Sequence, residues 1–337
     1  MKKILVIQTA FLGDSLLTLK LLDSIKLLYP SSLLSILCIP KSKEIFEYSP
    51  SVDSIITYDK RKTQKGLKNF YLFLRQINAE KFDIIISPHR SLRSSLISFF
   101  ADAQLTVGFD NSAFSFLYKQ KIHYIKDFHE VKRNLLLLGN DEIVENWQSA
   151  VNYKFSDINF PAKIFSCFNP AEKYFAVAPG SVWETKKYPT EKFIEIINSL
   201  NKIGVTAVII GAANEQAVAN LIIRKTSRKN INLTGIISIP QTIKLLKEKI
   251  SFLICNDSAP THMGMVAEIP VLTIYCSTVP EFGFYPYNKK SASIGLDNLN
   301  CKPCGIHGYK KCPKIHFKCG NELSSETIIS TLKEKFI

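Results

Sequence analysis

The chain has 337 residues, 46% of them hydrophobic and 21% charged, with 43 Lys and Arg against 29 Asp and Glu. At about 100–200 residues per domain this is two domains' worth of chain, and without a low-complexity tract, collagen-like period or solenoid repeat it is not a disordered, fibrous or repeat protein. The net charge of +14 admits an anionic partner, but only 7 of the 43 basic residues are arginine, and no helix-turn-helix, RNP-like or zinc-finger pattern points to nucleic acid.

The first residues, MKKILVIQTAFLG, imitate a secretory signal because two lysines precede an apolar run. Gln8 and Asp14 interrupt that run and no small-residue cleavage site follows, so a strand turning into a helix explains the same letters better. The expectation is a mature, cytoplasmic N-terminus. No other segment approaches the roughly 20 apolar residues of a membrane-spanning helix.

From there short apolar or β-branched runs alternate with helical patterns. KILVIQ, LLSILCI, SIITY, DIIIS and LTVGF form a first series, and YFAVAPG, VTAVIIG, INLTG, FLICND and VLTIYC a second, separated by a polar stretch near residues 140–172. Between two strands of the first series, Leu67, Phe70, Tyr71, Leu74 and Ile77 recur at helical spacing and predict one buried helix face. Two consecutive β-α series predict an α/β protein with two doubly wound parallel sheets, over residues 1–160 and 161–337, facing across a cleft. The last helix is a candidate for packing back on the N-terminal domain. In such sheets ligands sit outside the carboxyl ends of the strands, so the residues following each strand carry the chemistry.

After the first strand, TAFLGD leads into the leucine-rich helix SLLTLKLLDSIKLL and sets Asp14 at or beside a helix N-terminus, where an aspartate serves either as a cap or as a catalytic carboxylate. Only Gly13 stands where a dinucleotide-binding turn needs G-x-G-x-x-G, and the second strand ends in Cys38, Ile39 and Pro40 without an acidic residue, which ranks a dehydrogenase last. In the second series, GSVWETKKYP either offers Gly180, the Ser181 hydroxyl and Lys186 or Lys187 to a phosphate or carries only a solvated lysine pair before a Pro-capped helix. NDSAPTHMGMVA places Asp257 and Ser258 at a strand exit and His262 in the first turn of a helix opened by Pro260, an anion seat that needs no metal.

FLGDSLLTL, PGSVWETKKYP and NDSAPTHMGMVA, in this order over nearly the whole chain, resemble glycosyltransferase family 9, the ADP-heptose:lipopolysaccharide heptosyltransferases. The tail CKPCGIHGYKKCPKIHFKC is more similar to the heptosyltransferase II branch than to heptosyltransferase I. The resemblance implies a GT-B fold of two Rossmann-like domains, acceptor on the first and nucleotide-sugar on the second. It also implies inverting transfer of heptose from ADP-L-glycero-β-D-manno-heptose to the lipopolysaccharide inner core. By the same resemblance Asp14 matches the family's general base, Ser181 and Lys186 its phosphate loop, Asp257, Ser258, Ala259 and His262 its donor motif, and Glu215 an acidic residue near the nucleotide ribose. Ala259 stands where that motif often has glycine.

Arg90 and Arg93, after the fourth strand, serve either the carboxylates or phosphates of an acceptor or simply as solvated arginines at a helix start. No catalytic metal or other cofactor is expected, because a helix N-terminus, hydroxyls and Lys186 can stabilise the departing diphosphate. The acceptor, lipid A carrying the growing core, adds a second use for the basic surface, docking to the anionic cytoplasmic leaflet, so the expected place is cytoplasmic and peripheral to the inner membrane. The alternatives are a family 9 transferase using another nucleotide-sugar and a non-catalytic sugar-nucleotide binder. In the tail, Cys301, Cys304, Cys312 and Cys319 stand with His307 and His316, a pattern open to a structural zinc or to reduced packing cysteines, expected in either case to stabilise the second domain without entering the chemistry.

Overall fold

A computed structural model describes residues 1–337, which divide into two compact units, Met1–Asp157 and Ile158–Ile337. The division falls three residues before the expected one, because Ile158 and Asn159 already belong to the second unit. Their carbonyls accept hydrogen bonds from Lys244 Nζ and Gln241 Nε2.

The first unit runs β1 (Lys3–Gln8), α1 (Leu12–Leu28), β2 (Leu33–Cys38), α2 (Lys43–Glu47), β3 (Ser54–Thr57), α3 (Leu67–Ala79), β4 (Ile84–Ser87), α4 (Leu92–Phe100), β5 (Leu105–Phe109), β6 (Gln120–Ile122), α5 (Glu130–Leu136) and α6 (Asp141–Glu145). Its six strands are all parallel in the order β3-β2-β1-β4-β5-β6. Helices on both faces bury the central strand completely, and Ile4, Leu5, Val6 and Ile7 accordingly expose nothing. The core gathers Leu5, Ile7 and Leu37 with Phe73, Leu74 and Ile77 of α3 and Ile97 of α4.

The second unit runs α7 (Ala162–Phe165), β7 (Lys173–Ala178), α8 (Thr190–Lys202), β8 (Val205–Ile209), α9 (Gln216–Lys225), β9 (Ile231–Asn232), α10 (Ile239–Lys249), β10 (Leu253–Asn256), α11 (Ala259–Val266), β11 (Val271–Tyr275), β12 (Ala292–Gly295), α12 (Lys318–Asn321) and α13 (Ser325–Lys335). Its parallel order is β12-β11-β10-β7-β8-β9. The last helix packs on α8. Ile328 and Leu332 enter the second core, and Ser325 Oγ donates to Glu195 Oε2 at 2.5 Å.

Two further expectations change. Strands β6 and β12 were not anticipated, because both are short sheet edges whose residues, QKI and ASIG, are half-wet and carry no apolar run. On α3 the buried face is Phe73, Leu74 and Ile77, while Leu67 and Tyr71, placed in it by spacing, are 88% and 60% exposed.

Both sheets reverse their winding next to the first strand of the unit, between β1 and β4 and between β7 and β10. At such a switch point the flanking connections leave in opposite directions and open a crevice at the carboxyl ends of the strands.

Candidate functional site

In the first unit the crevice lies between the exits of β1 and β4. Phe11 is the N-cap of α1, so Asp14 occupies the third helical position, and its Oδ2 accepts the Phe11 backbone N–H at 3.1 Å. That contact is half of a capping box, which leaves the second carboxylate oxygen for other work. Burial first and the Glu130 carboxylate second push the Asp14 carboxyl up to about 7, opposed by the Phe11 N–H and by Arg90. Glu130 opens α5, which packs on α1, and is paired with Arg133 at 2.9 Å, both side chains being nearly buried. The Arg133 and Arg90 guanidinium groups both lie over the Tyr124 ring, at 4.9 and 4.1 Å from its centroid.

On the β4 side, His89 Nδ1 meets Thr9 Oγ1 at 2.9 Å and Ser94 Oγ at 3.0 Å. Burial, Lys60 and Arg90 drive the ring down to about 4, so it is neutral at pH 7. Beside it a cavity of about 350 Å³ is lined by Thr9, Tyr58, Lys60, Ser91, Leu92 and Arg93. Arg90 and Arg93 are both exposed, Arg93 in this cavity and Arg90 over Tyr124.

The second unit repeats the plan between β7 and β10. Lys186 Nζ and Asp257 Oδ2 form an ion pair at 2.6 Å with little solvent access, and Thr278 Oγ1 donates to the same carboxylate oxygen at 2.7 Å. Asp257 is therefore no cap. Nor is Ser258: it is the N-cap residue of α11, but its hydroxyl donates to the Asn256 carbonyl at 3.2 Å and accepts from no N–H of the helix. The α11 N-terminus at Ala259 is left facing the crevice beside Lys186 and Asp257, with the positive end of its dipole available. His262 sits in the first two turns, buried, and burial drives its imidazole down to about 4. Its Nδ1 has no hydrogen-bond partner. Buried polar atoms are almost always paired, so such an atom marks a place for a ligand or a water.

Ser181 Oγ accepts the Trp183 N–H at 3.3 Å, which folds the loop after β7. Glu215 joins the same loop from the exit of β8. A Cβ on Gly180 would lie 1.8 Å from Glu215 Oε1, so only glycine allows the carboxylate to approach. Glu215 also accepts the Ala212 N–H at 3.0 Å, and burial raises its pKa. Close packing supports α11 as well, since a Cβ on Gly264 would stand 2.3 Å from Val271 Cγ2. Ser181, Lys186, Glu215, Asp257, Ser258, Ala259 and His262 therefore all gather at one switch point.

Sequence reasoning missed Asn256, Thr278, His89 and Glu130. Asn256, fully buried, donates to the Pro179 carbonyl at 2.7 Å and accepts the Tyr188 N–H at 3.0 Å, which ties the loop after β7 to the exit of β10. An asparagine immediately before Asp257 was the available signal. The tail is also more than a stabiliser of the unit. The Thr185 N–H donates to the Tyr309 carbonyl, the Tyr309 N–H to Thr185 Oγ1 and the Cys304 N–H to the Ser277 carbonyl, and His307 stacks on Trp183, so the segment braces the Ser181–Lys186 loop. Its four cysteines are free thiols. Cys301 Sγ faces His316 Nε2 at 4.0 Å and Cys319 is buried in the hydrophobic core, and no group of three or more His, Cys, Asp or Glu side chains stands together as a metal site.

Two parallel doubly wound units, each with a polar switch-point crevice, define a two-domain α/β protein of the GT-B fold. Residues 71–312 match glycosyltransferase family 9 (heptosyltransferase), and the chain belongs to that family. It is 21% identical over 285 residues to a lipopolysaccharide heptosyltransferase 3 of Escherichia coli, covering 80% of this chain and 82% of the relative. Its fold is similar to a glycosyl transferase family 9 structure from Veillonella parvula, with a TM-score of 0.82 at 20% identity over 99% of this chain and 97% of that one. The E. coli ADP-heptose lipopolysaccharide heptosyltransferase II superposes with a TM-score of 0.76 at 18% identity, covering 100% and 98%.

Proposed function

We propose that this glycosyltransferase moves heptose, with inversion, from ADP-L-glycero-β-D-manno-heptose to the inner core of lipopolysaccharide. The observation that carries the reading is Asp14, a carboxylate at a strand exit whose proton affinity is raised to about 7. A base near the working pH is what a single displacement needs to take the proton from an acceptor hydroxyl as that oxygen attacks the anomeric carbon. Ordinary surface aspartates are too weakly basic for the task.

The donor's diphosphate fits the second unit. Lys186 supplies a cation, the α11 N-terminus and Ser258 supply donors, and Ser181 adds a hydroxyl, so the charge that develops on departing ADP meets fixed positive partners. These partners do for the leaving group what a divalent cation does elsewhere, and the reading is metal-independent transfer. Asp257 holds Lys186 in place, neutral His262 keeps a buried, unpaired Nδ1 on the same helix, and Glu215 with Gly180 suits the nucleotide ribose. Arg90, Arg93 and Lys60 surround the place for an anionic acceptor, lipid A bearing the inner core. No helix is long and apolar enough to cross a membrane, and the reading is an enzyme of the cytoplasm that meets its lipid acceptor at the inner-membrane surface.

The test is a donor screen. Purified protein is offered ADP-heptose beside ADP-, UDP- and GDP-hexoses with heptose-deficient lipopolysaccharide, and the product mass is read. A gain of one heptose from ADP-heptose alone supports the reading, whereas preference for a hexose donor, or donor binding without turnover, overturns it.

A further inference from the structure

Leu67 and Tyr71 keep helical core spacing yet face solvent, beside Leu72, which is 48% exposed. The opposite side of α3 is already filled by Phe73, Leu74 and Ile77, so these three have no place in the core. They stand in a segment of unusual charge. From residue 60 to residue 79 the chain carries Lys60, Arg61, Lys62, Lys65, Lys68 and Arg75 and no Asp or Glu. None of the six cations takes part in an ion pair.

The outer face of α3 therefore interleaves Leu67, Tyr71 and Leu72 with Lys68 and Arg75, preceded by a basic turn. α4 packs alongside and ends in exposed Phe99 and Phe100, with the Phe100 carbonyl accepting from Asn78 Nδ2 of α3. A polyanion such as nucleic acid would engage the cations but leave the leucines and tyrosine in water. A lipid surface uses both, because anionic head groups attract the cations while apolar side chains enter the boundary below them.

The geometry points to the outer face of α3, with the basic turn before it, as the surface on which this protein rests on an anionic bilayer. The segment starts at the acceptor crevice, since Tyr58 and Lys60 line the cavity with Thr9 and Arg93 and the chain passes directly from Lys60 into α3. Docking there brings the mouth of the crevice to the leaflet that holds a lipid-linked acceptor. That consequence rests on the transferase reading, whereas the docking surface itself does not.

The experiment is co-sedimentation of the full chain with vesicles of phosphatidylcholine alone and of phosphatidylcholine mixed with phosphatidylglycerol. Three proteins are compared: the wild type, a Leu67→Ser/Tyr71→Ser/Leu72→Ser variant, and a Lys62→Gln/Lys65→Gln/Lys68→Gln variant. All substituted positions are exposed or lie in the basic turn, and far-ultraviolet circular dichroism, with Trp147 fluorescence read in a Trp183→Phe background, checks that the first unit is folded. The wild type is expected to partition onto the mixed vesicles at least about ten-fold better than onto neutral ones, and each variant to lose at least about ten-fold. Equal partition of wild type onto both vesicle types, or wild-type partition by the serine variant, overturns the proposal. Transfer to a de-acylated, water-soluble acceptor is measured in parallel. A protein that binds vesicles and transfers nothing upholds the surface while the transferase reading falls, and one that transfers to the soluble acceptor without binding vesicles does the reverse.

Discussion

Replacing Asp14 by asparagine should abolish transfer and at the same time stabilise the first unit at alkaline pH. In the unfolded chain this carboxyl titrates near 3.9, and in the folded protein near 7, because burial and Glu130 disfavour its charge. The folded state thus holds the proton more tightly than the unfolded one. The stability tied to that proton is fully present below about pH 4 and is lost as pH rises through 7. At about 1.4 kcal/mol per pH unit of separation, the ionised carboxylate costs the folded state about 4 kcal/mol by pH 8 and about 1.5 kcal/mol at pH 5. Asparagine carries no charge and keeps an oxygen to accept the Phe11 N–H, so it escapes this loss.

The gain is read by urea unfolding in a Trp183→Phe background, which leaves Trp147, stacked on His129, as the only tryptophan and a reporter of the first unit. The Asp14→Asn protein should exceed its parent by up to about 4 kcal/mol at pH 8 and by a smaller margin at pH 5, while its rate of transfer falls roughly 10²- to 10⁴-fold. If Asp14 serves only as a cap, asparagine keeps that cap, so stability is nearly unchanged at both pH values and transfer survives. That outcome would refute the catalytic argument.

Three other outcomes are expected. Glu130→Gln removes the carboxylate that raises the Asp14 pKa and leaves Arg133 unneutralised, both of which favour ionised Asp14, so the acid limb of kcat/KM should move to lower pH; an unmoved limb means the two carboxyls are not coupled. Lys186→Ala should weaken ADP at least about ten-fold by calorimetry, the loss of one charge-assisted hydrogen bond of about 1.5–3 kcal/mol, and unchanged affinity would move the diphosphate elsewhere. Transfer by protein treated with EDTA and assayed without added metal should proceed at the untreated rate, and strict dependence on Mg²⁺ would overturn the assignment of leaving-group stabilisation to Lys186 and the α11 N-terminus.

The parts of this fold that are legible in the letters are those whose environment is set by immediate neighbours. KILVIQ and FLICN are central strands wrapped by helices on both faces, so nearly every residue must be apolar and the run announces itself. QKI and ASIG are edges, where half of each strand meets water and pairing alone decides the conformation. The same distinction governs the sites. Strand exits could be named from the sequence, and Lys186, Asp257 and His262 lie where such exits meet. The proton affinity of Asp14 could not, because it is set first by burial and then by Glu130, which reaches it only through the packing of α5 on α1. Helical spacing misled on α3 for a related reason. An apolar residue that recurs every three or four positions must be covered, but the pattern does not say by what, and Leu67 and Tyr71 are not covered by the protein itself.

The Lys186–Asp257 pair shows why both sites sit at switch points. Water around a lysine competes with any anion, and removing that water when a diphosphate arrives has a cost of several kcal/mol for a fully desolvated ion. Here the cost is met during folding. Asp257 and Thr278 hold Lys186 in a poorly solvated crevice, and Asn256 and the tail segment fix the loop that carries it. On the proposed reading, an arriving diphosphate would need little further desolvation or ordering of the protein. It would take the remaining N–H directions of Lys186 while Asp257 keeps one, so the carboxylate would steer the cation without being displaced. Such an arrangement favours the moment when negative charge on the leaving group is greatest, because the cation is already aimed where that charge develops. On a convex surface the same lysine and aspartate would form an exposed ion pair worth about 0–1 kcal/mol, with water free to compete for both. The crevice between oppositely wound halves of a parallel sheet makes the difference, and it follows from the strand order before any residue in it is chosen.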